Sequence, residues 1–383
     1  MPHKPIKYIK LYFIWRKNIQ KFAYMQFLSY ICRRNYKKVD MTKKELYAEW
    51  VRGQEKLPVF FEPWWLDAVC AGREWDVIIV ESRKSKVESQ ELRAKSQEGK
   101  VESRKSRVES ISAAMPYMLC EKWLWRWIDM PKETQLSGLW LDGNRSFDVT
   151  ELQYIREEVT RQLNELKLAY YYQQYPVGSP VSSMLTEKGF KIRERVTYRI
   201  EDVRDLDKVI DGFSKNKKRQ LQKALSLHAE HDMTAEQFFQ FHNHCIESRK
   251  KHLSYSREFL LVLEQKAHKN NRCAILSICN ADHAVYAAAL LVWDKQRMYY
   301  LVPCLDPDYN ESGAGALLVL EAIKMARELG VAFDFEGSMI SGVAKHYKQF
   351  GPTPATYYGV EKYYKWWFRF PMFFNWLRNR KYR

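Results

Sequence analysis

Residues 299–326 read YYLVPCLDPDYNESGAGALLVLEAIKMA, in which a strand-like run leads through a polar loop into a long apolar helical pattern. Gly313 and Gly315 flank the start of the predicted helix Gly315–Leu329. A glycine-rich turn between a strand and a helix exposes backbone N–H groups beside the positive end of the helix dipole, where pyrophosphate and other anions bind. A plain turn is the alternative, because glycines often precede helices. The stretch predicts an α/β fold and leaves both interpretations of its turn open.

Just downstream, residues 332–338 read AFDFEGS and predict a short strand, Ala332–Phe335. Asp334 and Glu336 alternate with phenylalanines, so an extended backbone would place both carboxylates on one face. Two acids at the end of a central strand are candidates for a general base or for recognition of an amine. The alternative is that they accept hydrogen bonds from nearby backbone and from Ser338. Both interpretations stay open at the level of the sequence.

Upstream, residues 214–224 read SKNKKRQLQKA and predict a basic helix, Lys215–Leu227. Lys217, Lys218 and Arg219 make one turn of this helix densely cationic. Such a turn is a candidate site for the phosphate or carboxylate of a substrate. A solvated helix face is the alternative, because charge runs usually face water.

The C-terminal residues 361–383 form a basic aromatic tail, whose last 21 residues read YYKWWFRFPMFFNWLRNRKYR. Interleaved aromatic and cationic side chains are typical of segments that bind a bilayer interface, where Trp and Tyr lie among the headgroups. Packing of the tail on the body of the protein is the alternative. We therefore expect either peripheral membrane contact through residues 363–383 or intramolecular docking.

The net charge of +17 is concentrated in peripheral segments. Residues 1–40 contribute +9, residues 82–110 contribute +4 and residues 361–383 contribute +6, which leaves the remaining 291 residues near −2. A protein that binds DNA through its folded body would carry a basic face there. The distribution therefore argues against DNA as a partner.

Two segments are predicted to lie outside the functional core. Residues 80–89 and 101–110 are near-identical copies, VESRKSKVES and VESRKSRVES, which indicate a solvated low-complexity insertion over 82–110. The insertion separates two predicted strands, Trp75–Val80 and Ile111–Leu119, that would otherwise form a β-hairpin. Residues 1–40 have no clear helical cap, and a coherent amphipathic pattern begins at Met41. We expect 1–40 to be a dispensable extension.

The rest of the chain predicts two mixed α/β domains, residues 41–200 and 201–360, each combining antiparallel hairpins with helices. The seven cysteines are scattered without a CxxC pair, which argues against a zinc site and a disulfide framework. No Ser/His/Asp arrangement and no metal-ligand spacing stands out, so neither a nucleophile nor a metal is expected. Tyr309, close to the glycine turn, can protonate a leaving thiolate or alcohol, although tyrosines near strands more often fill the core.

Several segments together resemble the FemAB-like acyltransferases of the GNAT superfamily, of a type found in Bacteroidetes-like and other bacterial genomes. They are LPVFFEPWWLDAVC (57–70), WDVIIV (75–80), the basic helix 214–224, residues 299–326 and FDFEGSMISGVAKHYKQFG (333–351). The resemblance covers about residues 57–360 without the insertion, and FDFEGS with its following helix is its most specific part. It implies two tandem GNAT-like folds, with the acyl donor and the acceptor meeting in the second.

The resemblance also implies a donor site. GNAT enzymes hold the pyrophosphate of acyl-CoA on a [Q/R]-x-x-G-x-[G/A] turn, which corresponds here to Asn310, Gly313, Ala314 and Gly315. The first position departs from that pattern, and Glu311 adds a negative charge beside the turn. Fem-type relatives take the acyl group from aminoacyl-tRNA instead and extend cell-envelope precursors. Acyl-CoA, or a related activated donor, is therefore the expected donor substrate, and a tRNA carrier is the alternative.

The expected reaction is N-acyl transfer to an amine, on a small molecule or a cell-envelope precursor. Glu336 or Asp334 would take the proton, and backbone N–H groups of the strand Tyr299–Pro303, around Val302, would polarise the donor carbonyl. Lys218, Arg219 and Ser338 are the candidate substrate-binding residues. A GNAT-like binding protein without catalytic activity is the alternative from another class. With no secretory or membrane-spanning segment in sight, we expect a cytoplasmic protein, at most peripheral at the inner membrane face.

Overall fold

A computed structural model describes residues 41–70, 72–83, 104–180, 185–337 and 339–369. The predictions about the extension 1–40, about Ser338 and about tail residues 370–383 therefore lie outside the described residues. From Lys43 onward, the chain forms one compact unit. Among the described residues, no helix is both long enough and apolar enough to cross a bilayer.

The unit is built on one mixed β-sheet of twelve strands. Its strands are β1 (Glu74–Glu81), β2 (Ile111–Lys122), β3 (Trp125–Asp129), β4 (Trp140–Leu141), β5 (Tyr170–Tyr175), β6 (Lys191–Ile200), β7 (His228–Glu230), β8 (Cys273–Cys279), β9 (Val285–Trp293), β10 (Arg297–Leu305), β11 (Ala332–Asp334) and β12 (Thr353–Tyr363).

The α-helices are α1 (Lys43–Arg52), α2 (Pro63–Val69), α3 (Arg104–Glu109), α4 (Val149–Glu165), α5 (Leu206–Asp211), α6 (Lys215–Lys223), α7 (Ala235–Glu247), α8 (Arg257–Lys269), α9 (Ala314–Glu328) and α10 (Ser341–Lys348). Four single turns of 3₁₀ helix lie at Val59–Phe61, Leu185–Lys188, Pro307–Tyr309 and Trp366–Phe368.

The strand order joins the two halves of the chain in one sheet. It runs β1-β2-β3-β5-β12-β6-β11-β10-β9-β8-β7, with β4 paired to β2. Strand β12, from the end of the chain, lies between β5 and β6 and is antiparallel to both. Strand β11 lies between β6 and β10, parallel to β10, with Asp334 beside Tyr299. The segment after β11 therefore lies in the middle of the sheet, where backbone from both halves meets.

Helix α9 carries the core of the second half. Its apolar residues cover more than one face of the helix, and eight of its side chains are buried, among them Leu318, Val319 and Ile323. They pack on β8 to β11 in a cluster that also includes residues of α10 and β6. A second cluster joins α4 to β1, β2 and β5. The burial of these apolar side chains fixes the helices on the sheet and holds the loops at its centre in place.

The predicted mixed α/β fold is confirmed. Strand β1 pairs with β2 as the predicted hairpin, with Ile78 opposite Met115. Strands β3 and β7 were not predicted, since each is short and polar at its exposed end. The division after residue 200 stays a prediction. Strand β6, on its N-terminal side, pairs with β11 and β12 from the other half.

Two local predictions differ from the structure. Within the predicted insertion 82–110, residues 104–109 form helix α3, which lies beside α1. The predicted strand Ala332–Phe335 ends at Asp334, because Glu336 and Gly337 both have a left-handed backbone, with φ of 60° and 66°. Glu336 therefore lies in a turn after the strand, and the alternation that an extended chain would give does not apply to it.

Candidate active site

Glu336 occupies a turn that the sheet forces against β6. A Cβ atom at Gly337 would lie 2.2 Å from the carbonyl oxygen of Val196, so only glycine fits there. Glu336 itself adopts the left-handed region, which costs a residue other than glycine about 1–2 kcal/mol. Backbone strain of this kind is concentrated at functional sites. The turn therefore marks Glu336 as a site candidate on grounds of geometry.

The Glu336 carboxyl group is buried, and its Oε1 has no hydrogen-bond partner among the described residues. Burial raises the pKa of this carboxyl well above its ordinary value, and the nearby carboxylates of Glu133 and Asp334 raise it further. A carboxyl group with a raised pKa and an oxygen without a partner among the described residues is suited to exchange a proton with a substrate. This combination is characteristic of a catalytic acid or base.

Asp334, two residues earlier, is fully buried and paired. The Thr197 hydroxyl donates to its Oδ1, the Arg199 Nε–H donates to Oδ2 at 2.7 Å, and the Glu336 backbone N–H donates to Oδ1 at 2.8 Å. These bonds give both carboxylate oxygens of Asp334 a partner. The alternative stated above, hydrogen bonding to nearby backbone, therefore describes Asp334, which holds the Glu336 turn in place.

Glu133 brings a second carboxyl to Glu336 from the first half of the chain. It lies in the loop after β3, with a left-handed φ of 49°, and the Ser254 hydroxyl donates to its Oε1 at 3.3 Å. Burial raises its pKa above the ordinary value. The surrounding sequence, MPKETQL, carries no motif, so sequence reasoning missed this residue. Only the closure of the sheet places it beside Glu336.

A cavity of about 420 Å³ lies between α7, β10, α10 and the start of α9. Among the described residues, its lining contains no aspartate or glutamate. It does contain His242, Arg249 and His346, and the first turns of two helices reach it at Gly315 and Gly342. Cationic side chains and helix N-termini both favour anions. The cavity is therefore suited to a negatively charged part of a ligand.

Lys217 lies behind His346. The lysine is only 2% exposed, and its Nζ lies 2.9 Å from Gln220 Oε1 and 3.3 Å from His346 Nδ1. Burial lowers its pKa to about 8, and burial together with Lys217 lowers the pKa of His346 to about 4. His346 is therefore neutral at pH 7. Since its Nδ1 faces the Lys217 donor, the hydrogen-bond network assigns the ring proton to Nε2.

Tyr347 connects the cavity with the Glu336 turn. Its side chain lines the cavity, and its ring packs against that of Phe335, which precedes Glu336, with centroids 4.8 Å apart. Burial raises the pKa of its phenol, and the Glu336 carboxylate raises it further. On the opposite wall, the His242 Nδ1 lies 2.6 Å from the Tyr255 hydroxyl. The cavity wall thus offers a phenol and an imidazole close to the buried carboxyls.

The glycine turn precedes helix α9 as predicted, but the backbone of helix α6 covers part of it. Gly313 has a φ of 88°, and a Cβ atom there would lie 2.0 Å from the backbone oxygen of Gln220 on α6. The Ala314 N–H donates to the Ser312 hydroxyl at 3.1 Å. Gly315 lines the cavity, whereas Asn310 is exposed. An anion would therefore meet the helix start at Gly315.

The other predicted site residues lie around this centre or away from it. Val302 is buried in β10, directly after an irregularity in the pairing with β9, where a bulge leaves backbone groups unpaired. Tyr309 stacks on Tyr286, with ring centroids 3.7 Å apart. Lys218 pairs with Asp211 at 3.2 Å, and Arg219 is exposed. The basic helix therefore presents Lys217 to the cavity wall. Helical periodicity could have singled it out as the inward residue.

Two groups of side chains in the described part of the chain have metal-ligand spacing. They are His228, Glu230 and His283, and Glu264, His268 and Cys273. None of these six residues lines the cavity. The expectation of a metal-free site stays a prediction.

Comparison with known proteins gives a family match over part of the chain. Residues 191–349 match the family described as "Acetyltransferase (GNAT) domain". No curated protein sequence gives a significant match.

Solved structures give matches over most of the chain. The crystal structure of FemX is similar at 10% sequence identity and a TM-score of 0.57, with 83% of this chain and 96% of that chain covered. The C-terminal domain of a putative lysylphosphatidylglycerol synthetase from Agrobacterium fabrum is 11% identical, with a TM-score of 0.45 and coverage of 83% and 91%. A tandem GNAT protein from the clavulanic acid biosynthesis pathway is 10% identical, with a TM-score of 0.42 and coverage of 76% and 98%.

The likeness to FemX, the one of these three with a TM-score above 0.5, shows a shared fold. The family match spans strand β6, the cavity elements and the Glu336 turn. Residues 191–349 therefore match an acetyltransferase (GNAT) domain, and the chain shares the mixed α/β fold of FemX.

Proposed function

We propose that this acyltransferase moves an acyl or aminoacyl group from a phosphate-bearing donor to an amine, with Glu336 as the group that accepts the amine proton. The observation that carries the proposal is the buried Oε1 of Glu336, which has no hydrogen-bond partner among the described residues, in a strained turn. A buried polar atom without a partner costs about 1–3 kcal/mol. A substrate amine that donates to this oxygen would remove that cost.

The donor would bind in the carboxylate-free cavity. Both candidate donors, acyl-CoA and aminoacyl-tRNA, carry phosphate groups, and phosphate is the chemistry that Arg249 and the start of α9 at Gly315 favour. The neutral His346, with its proton on Nε2, would donate a hydrogen bond to a donor oxygen. The exposed Glu311 is solvated, and water screens its charge.

The chemical step is a direct acyl transfer. The nitrogen of the acceptor attacks the donor carbonyl carbon, a C–N bond forms, and the C–S bond of a thioester or the C–O bond of an ester breaks. The amine proton passes to the Glu336 carboxylate, and the leaving thiolate or alkoxide receives a proton from Tyr347. Charges balance without a covalent enzyme intermediate. Glu133 keeps the Glu336 pKa high, which strengthens its carboxylate as a base.

The test is turnover with two donor arms, acetyl-CoA and aminoacyl-tRNA, each with simple primary amines and a lysine-containing peptide as acceptors. Chromatography would quantify free CoA in one arm and acylated product in both. We expect one arm to show turnover, and Glu336→Gln to lower kcat about 10²- to 10⁴-fold, which is the usual contribution of a general base. The identity of the active arm names the donor.

Glu311→Gln is the matched control, since it removes an exposed carboxylate beside the glycine turn and should leave kcat unchanged. Equal rates for Glu336→Gln and the wild type would remove Glu336 from the mechanism. No turnover in either arm, together with no donor-induced rise in the melting temperature, would contradict the proposed donor site.

A further inference from the structure

The tip of the β2–β3 hairpin projects apolar side chains into solvent. Trp123 and Leu124 connect the paired residues Lys122 and Trp125, and Trp123 takes a left-handed φ of 59°. Trp123 is 92% exposed and Leu124 is 90% exposed. A large apolar side chain at the end of a tight turn gains nothing for folding from this position. The exposure of Trp123 and Leu124 is therefore better explained by contact with another molecule than by the stability of the fold.

The start of the C-terminal tail lies beside this tip. The Trp125 ring lies 4.2 Å from that of Trp367, between centroids, while Phe368 is buried against Ala169 and Tyr170. Trp366 remains 70% exposed. The tail thus docks on the body through Phe368 and adds an exposed indole next to the hairpin. We call Trp123, Leu124, Trp125, Trp366 and Trp367 the aromatic rim.

The charge around the aromatic rim is positive. Lys122, Lys365 and Arg369 are exposed beside it, and the hairpin carboxylate of Glu121 is paired with Arg126 at 2.6 Å. The sequence after Arg369 adds four further cations and no acid before the end at Arg383. A negatively charged partner surface therefore matches the rim and its surroundings.

We propose that the aromatic rim inserts into the interface of a bilayer that contains anionic lipids. Indole rings prefer the headgroup region, and cations beside them attract anionic headgroups. A protein partner fits less well, because lysine is depleted at protein–protein interfaces and a projecting hairpin tip offers little flat area. The proposal is independent of the donor and of Glu336, and it places the transferase at a surface where lipid-linked acceptors are found.

Vesicle co-sedimentation of the full chain tests this proposal. The probes are vesicles of phosphatidylcholine with phosphatidylglycerol and vesicles of phosphatidylcholine alone. We expect binding to the anionic vesicles, weakened by added salt, and a loss of affinity of about tenfold or more in the double variant W123A/L124A. The variant should keep the melting temperature of the wild type, because both side chains are exposed.

A matched control is the double variant V149A/L225A, which removes two exposed apolar side chains elsewhere, 67% and 78% exposed. It should bind vesicles like the wild type. The variant K365Q/R369Q should lose affinity for the anionic vesicles, which separates the electrostatic contribution from the apolar one.

Three results would overturn the proposal. They are no binding of the wild type to anionic vesicles, unchanged binding by W123A/L124A, and equal losses in W123A/L124A and V149A/L225A. Dimerisation of the wild type in size-exclusion chromatography that W123A/L124A abolishes, without vesicle binding, would assign the aromatic rim to self-association instead.

Discussion

Two neighbouring regions of this molecule meet at Tyr347 and have opposite electrostatic character. On one side, the carboxyl groups of Glu336, Glu133 and Asp334 are buried together at the centre of the sheet. On the other side, the cavity has cationic and neutral lining residues and, in the described part of the chain, no carboxylate.

In the proposed acyl transfer, this difference would keep donor binding apart from proton transfer. A carboxyl group inside the cavity would repel a phosphate-bearing donor, whereas a cation beside Glu336 would lower its pKa and weaken it as a base. Arg199, a buried cation beside this cluster, is engaged by Asp334. It therefore stabilises the turn without acting as the direct partner of Glu336.

The largest effect that we expect from breaking this arrangement comes from Asp334→Asn. The substitution leaves the buried Arg199 guanidinium without its counter-charge, which typically costs about 3–5 kcal/mol in the free energy of unfolding. Urea denaturation would measure it. Glu121→Gln is the control, since its exposed pair with Arg126 lies away from Arg199 and should contribute at most about 1 kcal/mol. A loss below about 1 kcal/mol for Asp334→Asn would show that Asp334 does not hold the turn.

A change on the cavity side should affect the donor more than the fold. Lys217→Met removes the buried cation behind His346 and the hydrogen bond that fixes the ring proton on Nε2. We expect the affinity for the donor to fall about tenfold to a hundredfold, since hydrogen bonds to charged groups contribute about 1.5–3 kcal/mol. Titration calorimetry with the donor found active would measure it. Lys218→Met, one residue along and paired with Asp211 at the surface, should change the affinity little. Equal losses in both variants would indicate a general electrostatic effect.

The smallest expected effect is a dependence of donor affinity and stability on pH, caused by Lys217 beside the cavity. The pKa of Lys217 is lowered from 10.5 to about 8 in the folded chain. Above pH 8 the folded protein loses this proton, so donor affinity should decline between pH 7 and 9. Between pH 8 and the ordinary lysine pKa, Lys217 binds more protons in the unfolded chain than in the folded protein. The contribution of this group to the free energy of unfolding therefore rises with pH. Melting temperatures across pH 7–10 should show that rise in the wild type and a smaller one in Lys217→Met. Identical slopes would contradict the lowered pKa.

Much of the site could be predicted from the sequence because it depends on local patterns. Gly313 and Gly315 before an apolar helix, and acids at 334 and 336 after a short apolar strand, all lie within one strand–helix–strand unit. Glu133, His242 and Tyr255 could not be predicted, since each comes from a segment without a motif. Helical periodicity indicates Lys217 as the inward lysine of α6, but its position behind His346 depends on the packing of α6 against α10.

The sequence also left the contacts of the C-terminal tail undecided. Its composition predicted either docking or membrane contact, and the described residues include both a docked Phe368 and an exposed Trp366. The neighbouring hairpin tip at Trp123 carried no signal, because a Trp-Leu pair in a strand-rich region reads as core.

The sequence by itself determined the element types, the glycine turn and the family resemblance, because propensity, periodicity and turn chemistry act over a few residues. The tertiary structure alone decided that β12 lies between β5 and β6, and that Asp334 is paired whereas Glu336 Oε1 has no partner among the described residues. It also decided that Glu133 lies near Glu336. Pairing between distant strands and the burial that shifts a pKa depend on what the folded chain brings together, and no local pattern encodes that.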